Sequence, residues 1–171
     1  KVEIASGGSY VIRFQDTGFW LAKYAARKGY HKPTGTIALN YCNNLRIFRY
    51  AETLLAYAEL VGVEGVAEQK GISAQQCLDM VRDRAFGDTN HRVAVNKQNI
   101  INENHYEFVG EGHRYYDVVR WGITEVLNVD NVPGINSART WKSHNKYVAI
   151  PQGDIDATKG TEFELKQNEG Y

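Results

Sequence analysis

Acidic, basic and imidazole side chains are concentrated in one stretch of this chain, between positions 102 and 120. The run NENHYEFVGEGHRYYDVVR is the densest polar cluster in the sequence. The charged residues in it that we expect to interact are Glu103, Glu107, Glu111, Arg114, Asp117 and Arg120. Side chains of these types could bind a metal ion, transfer protons in acid/base catalysis, or form ion pairs between helices. Their spacing along the chain distinguishes these three roles.

A metal site in this stretch would have to combine imidazoles with carboxylates. Its candidate ligands are His105, Glu107, Glu111 and His113. The two histidines lack the four-residue spacing that places both on one helical face in the HExxH motif. The sequence also lacks a Gly-x-Ser-x-Gly nucleophile motif, a phosphate-binding loop and a dinucleotide fingerprint. We therefore expect neither a metal ion nor a cofactor.

Glu111 is the carboxylate best placed for catalysis, because Gly110 and Gly112 leave room for a ligand beside it. A glycosidase would need a second carboxylate about 5–9 Å away across an open cleft. The same Gly-Glu-Gly sequence also suits the end of one helix followed by a carboxylate at the positive end of the next. We favour this structural interpretation and predict that the protein is not an enzyme.

Ion pairing is the remaining role for the charged stretch. Glu103 and Glu107 lie one helical turn apart, and Arg114 and Asp117 can pair along the following helix. Charges between packed helices are stable only when they are paired and hydrogen-bonded. We therefore predict a structural network that holds the break between two helices.

The elements that must position this network begin with two amphipathic helices. Apolar residues recur with helical spacing over 45–60 and again over 73–85. Ser73 and Gln76 form a capping-box pattern at the start of the second helix. Two helices joined by a short glycine-containing loop form an antiparallel hairpin, the unit of tetratricopeptide-like arrays. The side chains expected to be buried between them are Phe48, Leu55, Leu78 and Val81.

Two further helices are predicted at 100–108 and 113–121, separated by the glycines around Glu111 and closed by Gly122. A strand-like run follows at 147–150. The predicted fold is mainly α, with tetratricopeptide-like helical hairpins and irregular, loop-rich flanks. We expect one structural unit over 1–171, made of an irregular lead-in (1–44), a helical core (45–122) and a loop-rich tail (123–171).

Composition argues against several classes of function. Lysine plus arginine (20) equals aspartate plus glutamate (20), so the formal net charge is zero. Nucleic-acid binding favours a basic excess, and we expect no nucleic-acid partner. Hydrophobic residues make up 43% of the chain, but no apolar run approaches the roughly 20 residues of a membrane helix. The 11 tyrosines suit a surface that binds sugars or proteins, as well as packing in a core.

Four sequence blocks occur in order over residues 45–171. They are LRIFRYAETLLAYAEL (45–60), MVRDRA (80–85), EFVGEGHRYYDVVRWG (107–122) and the tail AIPQGDIDATKGTEFELKQNEGY (149–171). These blocks resemble, in the same order, the motifs of the SusD/RagB family, the surface nutrient-binding lipoproteins of Bacteroidetes. The resemblance implies a mostly helical SusD-like fold, of which this chain would be the C-terminal portion.

The resemblance also implies a function without catalysis. Family members capture oligosaccharides, or in some cases peptides, at the cell surface and deliver them to a SusC-like TonB-dependent outer-membrane transporter. The implied location is the outer membrane, with a lipid anchor on an N-terminus that is not present in this chain. The implied role is nutrient uptake.

Ligand contacts within this chain are expected at aromatic side chains outside the periodic helical faces, because a ring can stack on the C–H face of a sugar. The candidates are Trp20, Tyr30 and Trp141. The same residues could instead anchor their loops to the helical scaffold or contact the transporter. A second hypothesis for the whole chain is a tetratricopeptide-like scaffold that binds proteins and no small ligand.

Overall fold

The structure, a computed structural model, describes residues 21–25, 34–35, 42–69, 71–134 and 136–171. These residues form five α-helices and three short 3₁₀ helices, joined by turns and irregular segments. The α-helices are α1 (Tyr50–Gly62), α2 (Ala74–Phe86), α3 (Lys97–Glu107), α4 (Arg114–Trp121) and α5 (Gln152–Thr158). The 3₁₀ helices lie at Ala22–Tyr24, Thr124–Leu127 and Ser143–Lys146. The prediction of a mainly α fold is confirmed, and the described ranges contain no β-strand.

The described residues fall into two compact units, one ending at Arg114 and the other running from Tyr115 to Tyr171. The core of the first unit lies where α1 packs against α2 and α3. Its buried side chains are Ala51, Leu54, Leu55, Ala58, Ala74, Cys77, Leu78, Val81, Ile100 and Phe108. Among the described helices, none combines the length and apolar character needed to cross a bilayer.

The hairpin of α1 and α2 forms as its periodicity predicts. At the start of α2, the Gln76 backbone N–H donates to Ser73 Oγ at 3.1 Å, and Ser73 N–H donates to Gln76 Oε1 at 2.8 Å. This is the predicted capping box. Leu55, Leu78 and Val81 are each at most 1% exposed, as expected.

The expectation for Phe48 was wrong, because its side chain is 66% exposed. Helix α1 begins at Tyr50 rather than at residue 45. Arg49, the residue before it, has extended backbone (φ −153°, ψ 160°) and accepts a hydrogen bond from Glu52 N–H at 2.9 Å. The extended backbone of Arg49 ends the helical run on its N-terminal side, so Phe48 precedes α1 and does not belong to its apolar face.

Helix α3 starts at Lys97, earlier than predicted, because the Asn96 side chain caps it by accepting the Asn99 N–H at 2.9 Å. The predicted break between α3 and α4 is confirmed. Gly110 and Gly112 both have positive φ (77° and 85°), a conformation that side chains with a Cβ rarely adopt. A Cβ on Gly110 would also lie 2.2 Å from a methyl group of Leu21.

The predicted cap at the end of α4 is also confirmed. Gly122 has φ 70°, and its N–H donates to the carbonyl of Val119 at 3.2 Å. The N–H of Ile123 donates to the carbonyl of Val118 at 3.1 Å. These two bonds form a Schellman motif, which satisfies carbonyls left open by the helix end.

The second unit contains no strand at 147–150. The backbone of Ile150 instead pairs with the Gln167 side chain, donating to its Oε1 and accepting from its Nε2, both at 2.9 Å. The Gln167 amide therefore occupies the backbone N–H and carbonyl of Ile150, the groups that a neighbouring strand would bond in a β-sheet. Isolated antiparallel bridges do occur, at Val129 with Arg139 and at Val132 with Asn136.

Candidate functional site

Arg49 lies at the centre of a cluster of ion pairs in the first unit. Its Nε donates to Glu111 Oε2 at 2.7 Å, and its Nη2 donates to Glu111 Oε1 at 2.9 Å. The same guanidinium donates to the Glu107 carboxylate and, at 2.8 Å, to the Glu107 carbonyl. Lys23 Nζ donates to that carbonyl at 2.8 Å and also to the Glu111 carboxylate. With the Phe108 ring centroid 4.7 Å from the Arg49 guanidinium carbon, both the edge and the face of the guanidinium are occupied.

The charges of this cluster stabilise one another. Burial disfavours the ionised Glu111, whose side chain is 1% exposed, but hydrogen bonds from Arg49 and Lys23 outweigh that effect and hold the pKa of Glu111 below its usual range. Burial likewise disfavours charged Arg49, but its bonds to Glu111 and Glu107 raise the pKa of Arg49. A glycosidase acid needs a carboxyl with a raised pKa. The electrostatics of Glu111 fit ion pairing and not acid catalysis.

Two arginines of α2 extend the cluster. Arg82 Nη1 donates to Glu103 Oε2 at 2.5 Å, and Arg84 Nη2 donates to Glu107 Oε1 at 2.5 Å. The Glu103 side chain is only 5% exposed, so Arg82 supplies the hydrogen bond and the counter-charge that water would give an exposed carboxylate. The three glutamates of α3 and the turn after it are thus paired with cations from α2 and from residues before α1.

The predicted pair of Arg114 with Asp117 is not formed, and this expectation was wrong. Asp117 Oδ1 instead accepts from Arg120 Nη2 at 3.3 Å. The acid-before-base order of Asp117 and Arg120 is the more favourable orientation for an ion pair along a helix, so Arg120 takes the carboxylate instead of Arg114. Arg114 lies near His105. Burial is the main cause that lowers the pKa of His105, and the positive charge of Arg114 lowers it further. Arg114 Nη1 is buried without a hydrogen-bond partner in the described part of the chain.

The basic members of the cluster were missed in the sequence analysis. They are Lys23, Arg49, Arg82 and Arg84. Arg49 lies 62 positions from Glu111, and Lys23 lies 88 positions from it. The sequence did carry one signal for them. The three glutamates near the helix break require positively charged partners, and the stretch 102–120 contains too few arginines and lysines to supply them.

The candidate metal ligands do not come together. His113 stacks on Phe108 with ring centroids 4.7 Å apart, and its Nδ1 lies 3.8 Å from Glu52 Oε1. His105 contacts the neighbouring Tyr106 ring. Within the described residues, no three histidine, cysteine or carboxylate side chains are grouped so that they could hold a metal ion.

A pocket of about 620 Å³ lies in the second unit. Its lining residues, which we call the Tyr115–Trp141 pocket, are Tyr115, Val126, Leu127, Val129, Arg139, Thr140, Trp141 and Asn145. This volume falls in the range of small-molecule binding sites. The lining joins apolar and aromatic side chains with a small number of polar groups, which is the usual composition of such sites.

Several backbone contacts hold the walls of this pocket. Val129 and Arg139 exchange two N–H···O bonds of 2.8 Å, which bring their two segments side by side. The Trp141 N–H donates to Asn128 Oδ1 at 2.7 Å. Tyr115 donates its hydroxyl proton to the Asn145 carbonyl, and its ring centroid lies 5.8 Å from that of Trp141. The two aromatic rings are therefore fixed near each other at an interplanar angle of 55°.

Three polar side chains of the pocket have donors that are unpaired within the described part of the chain. In the described residues, the Arg139 guanidinium, the Trp141 indole N–H and the Asn145 amide N–H₂ have no hydrogen-bond partner. All three are donors. The pocket can therefore offer aromatic faces for stacking together with donors for oxygen atoms.

Of the aromatic residues predicted to contact a ligand, Trp141 lies in the wall of this pocket and is half-buried. Trp20 and Tyr30 lie outside the described residues. Tyr115, Arg139 and Asn145 were missed. Tyr115 was counted with the charged helix before Gly122, and no periodic pattern marks 139–145, so only the fold brings these residues together.

The sequence model of the SusD family matches residues 8–171 of the chain. Among solved structures, surface glycan-binding protein A from Bacteroides fluxus is 54% identical with a TM-score of 0.83, covering 98% of this chain and 35% of that one. Surface glycan-binding protein A from Bacteroides thetaiotaomicron in complex with laminarihexaose is 43% identical with a TM-score of 0.78, covering 95% and 33%. A laminarin-binding SusD-like protein is 33% identical with a TM-score of 0.70, covering 95% and 31%. The chain thus spans about a third of the length of each structure.

Proposed function

Because the chain belongs to the SusD family, we propose that it is part of a protein that binds glycans at the cell surface without altering them. The observation that carries this proposal is the Tyr115–Trp141 pocket. Two aromatic rings 5.8 Å apart stand beside unpaired donors from Arg139 and Asn145. Sugars combine apolar C–H faces with hydroxyl and ring oxygens, so stacking and donated hydrogen bonds match both parts of such a ligand.

A laminarin-type glucan is the glycan that we propose first. Support comes from the relatives: one 43% identical structure contains laminarihexaose, and a further similar protein binds laminarin. The pocket adds chemical compatibility, because none of its eight lining residues is acidic and one is cationic. In this proposal Trp141 and Tyr115 form the stacking surface, and Trp20 and Tyr30 remain candidate contacts. A peptide ligand, the other class implied by the family, would be expected to use the same surface less well.

The test of this proposal is isothermal titration of the full-length protein with laminarihexaose, with a peptide panel as the competing ligand class. Trp141→Ala should weaken glycan binding by about tenfold or more, as expected for removal of a central aromatic contact. Phe163→Ala is the matched control, because Phe163 is an aromatic of the same unit that is 73% exposed and does not line the pocket. Equal affinities for wild type and Trp141→Ala would remove the pocket from the binding site.

We further propose that the full-length protein is a lipid-anchored lipoprotein of the outer membrane that passes its ligand to a SusC-like TonB-dependent transporter. Family membership supports this. Affinity purification of the tagged full-length protein from detergent-solubilised outer membranes should recover such a transporter in comparable amount. Recovery of the protein alone, under conditions that keep other outer-membrane complexes intact, would contradict the partnership.

A further inference from the structure

The Tyr115–Trp141 pocket has an uneven set of hydrogen-bonding side chains. Its unpaired polar groups include the guanidinium of Arg139, the indole N–H of Trp141 and the amide N–H₂ of Asn145. One of the two lone pairs of Asn145 Oδ1 is already used, because this atom accepts the Lys142 N–H at 2.8 Å. The Thr140 hydroxyl can donate or accept, so donors outnumber acceptors among these side chains and favour a ligand that presents mainly acceptors.

Arg139 supplies most of these donors. A guanidinium carries five N–H groups in a rigid plane, whereas an amide carries two and an indole one. Its backbone position is set by the two 2.8 Å hydrogen bonds with Val129. Arg139, Thr140 and Trp141 are consecutive in the chain and all three line the pocket. The fork of donors and the indole ring thus meet the same ligand.

We infer that Arg139 is the specificity-determining residue of this pocket, and that it recognises a neutral sugar by donating paired N–H groups to two neighbouring sugar oxygens. This inference rests on the proposed function and concerns the selection of the ligand. Arg139 is exposed, so an ionic attraction at this position would be screened by salt and contribute little. The geometry of the fork, rather than the positive charge, is what selects the ligand.

Two substitutions separate the fork from the charge. Arg139→Lys keeps the charge but replaces the planar fork with a single ammonium, and Arg139→Gln removes the charge and most of the donors. In the full-length protein, both should weaken laminarihexaose binding by about tenfold. Because Arg139 is exposed, neither should change the melting temperature. Lys166→Gln is the charge-matched control, since Lys166 is exposed in the same unit and lies outside the pocket lining.

Salt and ligand charge provide the second arm of the experiment. Binding of the neutral laminarihexaose should be nearly independent of NaCl concentration, and an oligogalacturonate of equal length should bind more weakly. Full affinity in Arg139→Lys, or preference for the acidic oligosaccharide, would overturn the inference. If both Arg139 variants bind like wild type while Trp141→Ala does not, the inference fails and the proposed function stands. If the wild type binds no glycan, both fail.

Discussion

Burial of Glu111 makes its carboxylate dependent on Arg49 and Lys23 for the hydrogen bonds that water would otherwise supply. Burial also disfavours the charge of Arg49, but the hydrogen bonds of Arg49 to both glutamates outweigh that effect and raise the pKa of Arg49. A buried charge network of this kind is sensitive to the loss of a buried member, because the remaining charges stay buried with fewer counter-charges. Two predictions at the scale of single residues follow from this dependence.

Replacing Arg49 with methionine should lower the free energy of unfolding by roughly 3–5 kcal/mol, the cost of breaking a buried pair on one side. The loss arises because Glu107 and Glu111 would both lose a charged partner. Urea denaturation of the 171-residue chain measures it. Arg84→Met is the control: Arg84 also contacts Glu107 but is 58% exposed, so we expect a change of about 0–1 kcal/mol. Equal losses in the two variants would show that burial does not set the strength of these pairs.

Acid should weaken the protein through Glu111. The folded-state pKa of this carboxyl lies below its ordinary value of 4.5, so as pH falls the unfolded chain takes up the proton first. The contribution of Glu111 to stability is therefore complete above pH 4.5 and is lost as pH falls through the folded-state pKa.

Urea midpoints measured above and below that ordinary value test the prediction for Glu111. Glu111→Gln should be less stable than wild type at neutral pH and should lose less stability on acidification, because it no longer titrates. An identical acid-induced loss in both proteins would assign the effect to other carboxyls.

The hairpin of α1 and α2 is the element on which the first unit depends. Its two helices contribute eight of the ten side chains of the core cluster, with Leu55 and Leu78 fully buried. The segment before α1 is different, since Arg49 takes the chain out of the helix and leaves Phe48 in water. Burial therefore changes sharply within seven residues of one predicted helix.

Truncation of Leu55 measures this difference at the level of the element. Leu55→Ala should lower the free energy of unfolding by about 2–5 kcal/mol, since it removes buried methyl groups and leaves a cavity. Phe48→Ala deletes a larger side chain but should change stability by only about 0.5 kcal/mol or less. Chemical denaturation of both variants tests the assignment of the apolar face. A loss for Phe48→Ala as large as that for Leu55→Ala would place Phe48 in the core after all.

At the scale of the whole molecule, the first unit carries an exposed apolar segment just before α1. Leu45, Ile47 and Phe48 are 78%, 82% and 66% exposed. Exposed groups of large apolar side chains mark contact surfaces in soluble proteins. Arg46 lies between Leu45 and Ile47 and donates a hydrogen bond to the Lys23 carbonyl at 3.2 Å. This bond holds the segment 45–48 in place while its apolar side chains face water.

The 171-residue chain should therefore bind a hydrophobic dye at this segment. Replacing Ile47 and Phe48 together with serine should lower the fluorescence of bound anilinonaphthalene sulfonate and leave the melting temperature unchanged, because neither side chain is buried. Leu60→Ser serves as the comparison, since Leu60 is exposed on α1 away from the segment. Dye binding that persists in the double variant would locate the apolar surface elsewhere.

Features set by neighbours in the chain could be predicted from the sequence. The capping box of Ser73 and Gln76, the break at Gly110 and the cap at Gly122 all depend on residues within about one helical turn. The periodic apolar faces predicted α2 and most of α1 for the same reason. The ordered family motifs likewise predicted the SusD-like fold, because they are read directly along the chain.

Tertiary structure decided which groups meet. Arg49 and Glu111 are 62 positions apart, and Asp117 pairs with Arg120 although Arg114 is equally near to it in the sequence. Tyr115 and Trp141 line one pocket because the bridge between Val129 and Arg139, and the hydrogen bond that Trp141 N–H donates to Asn128 Oδ1, hold residues 139–141 beside residues 128–129. The physical reason is the distance along the sequence between the residues that interact. Caps and periodicity are local, whereas the pairing of buried charges and the closing of a pocket depend on how distant segments pack, and composition carries no record of that packing.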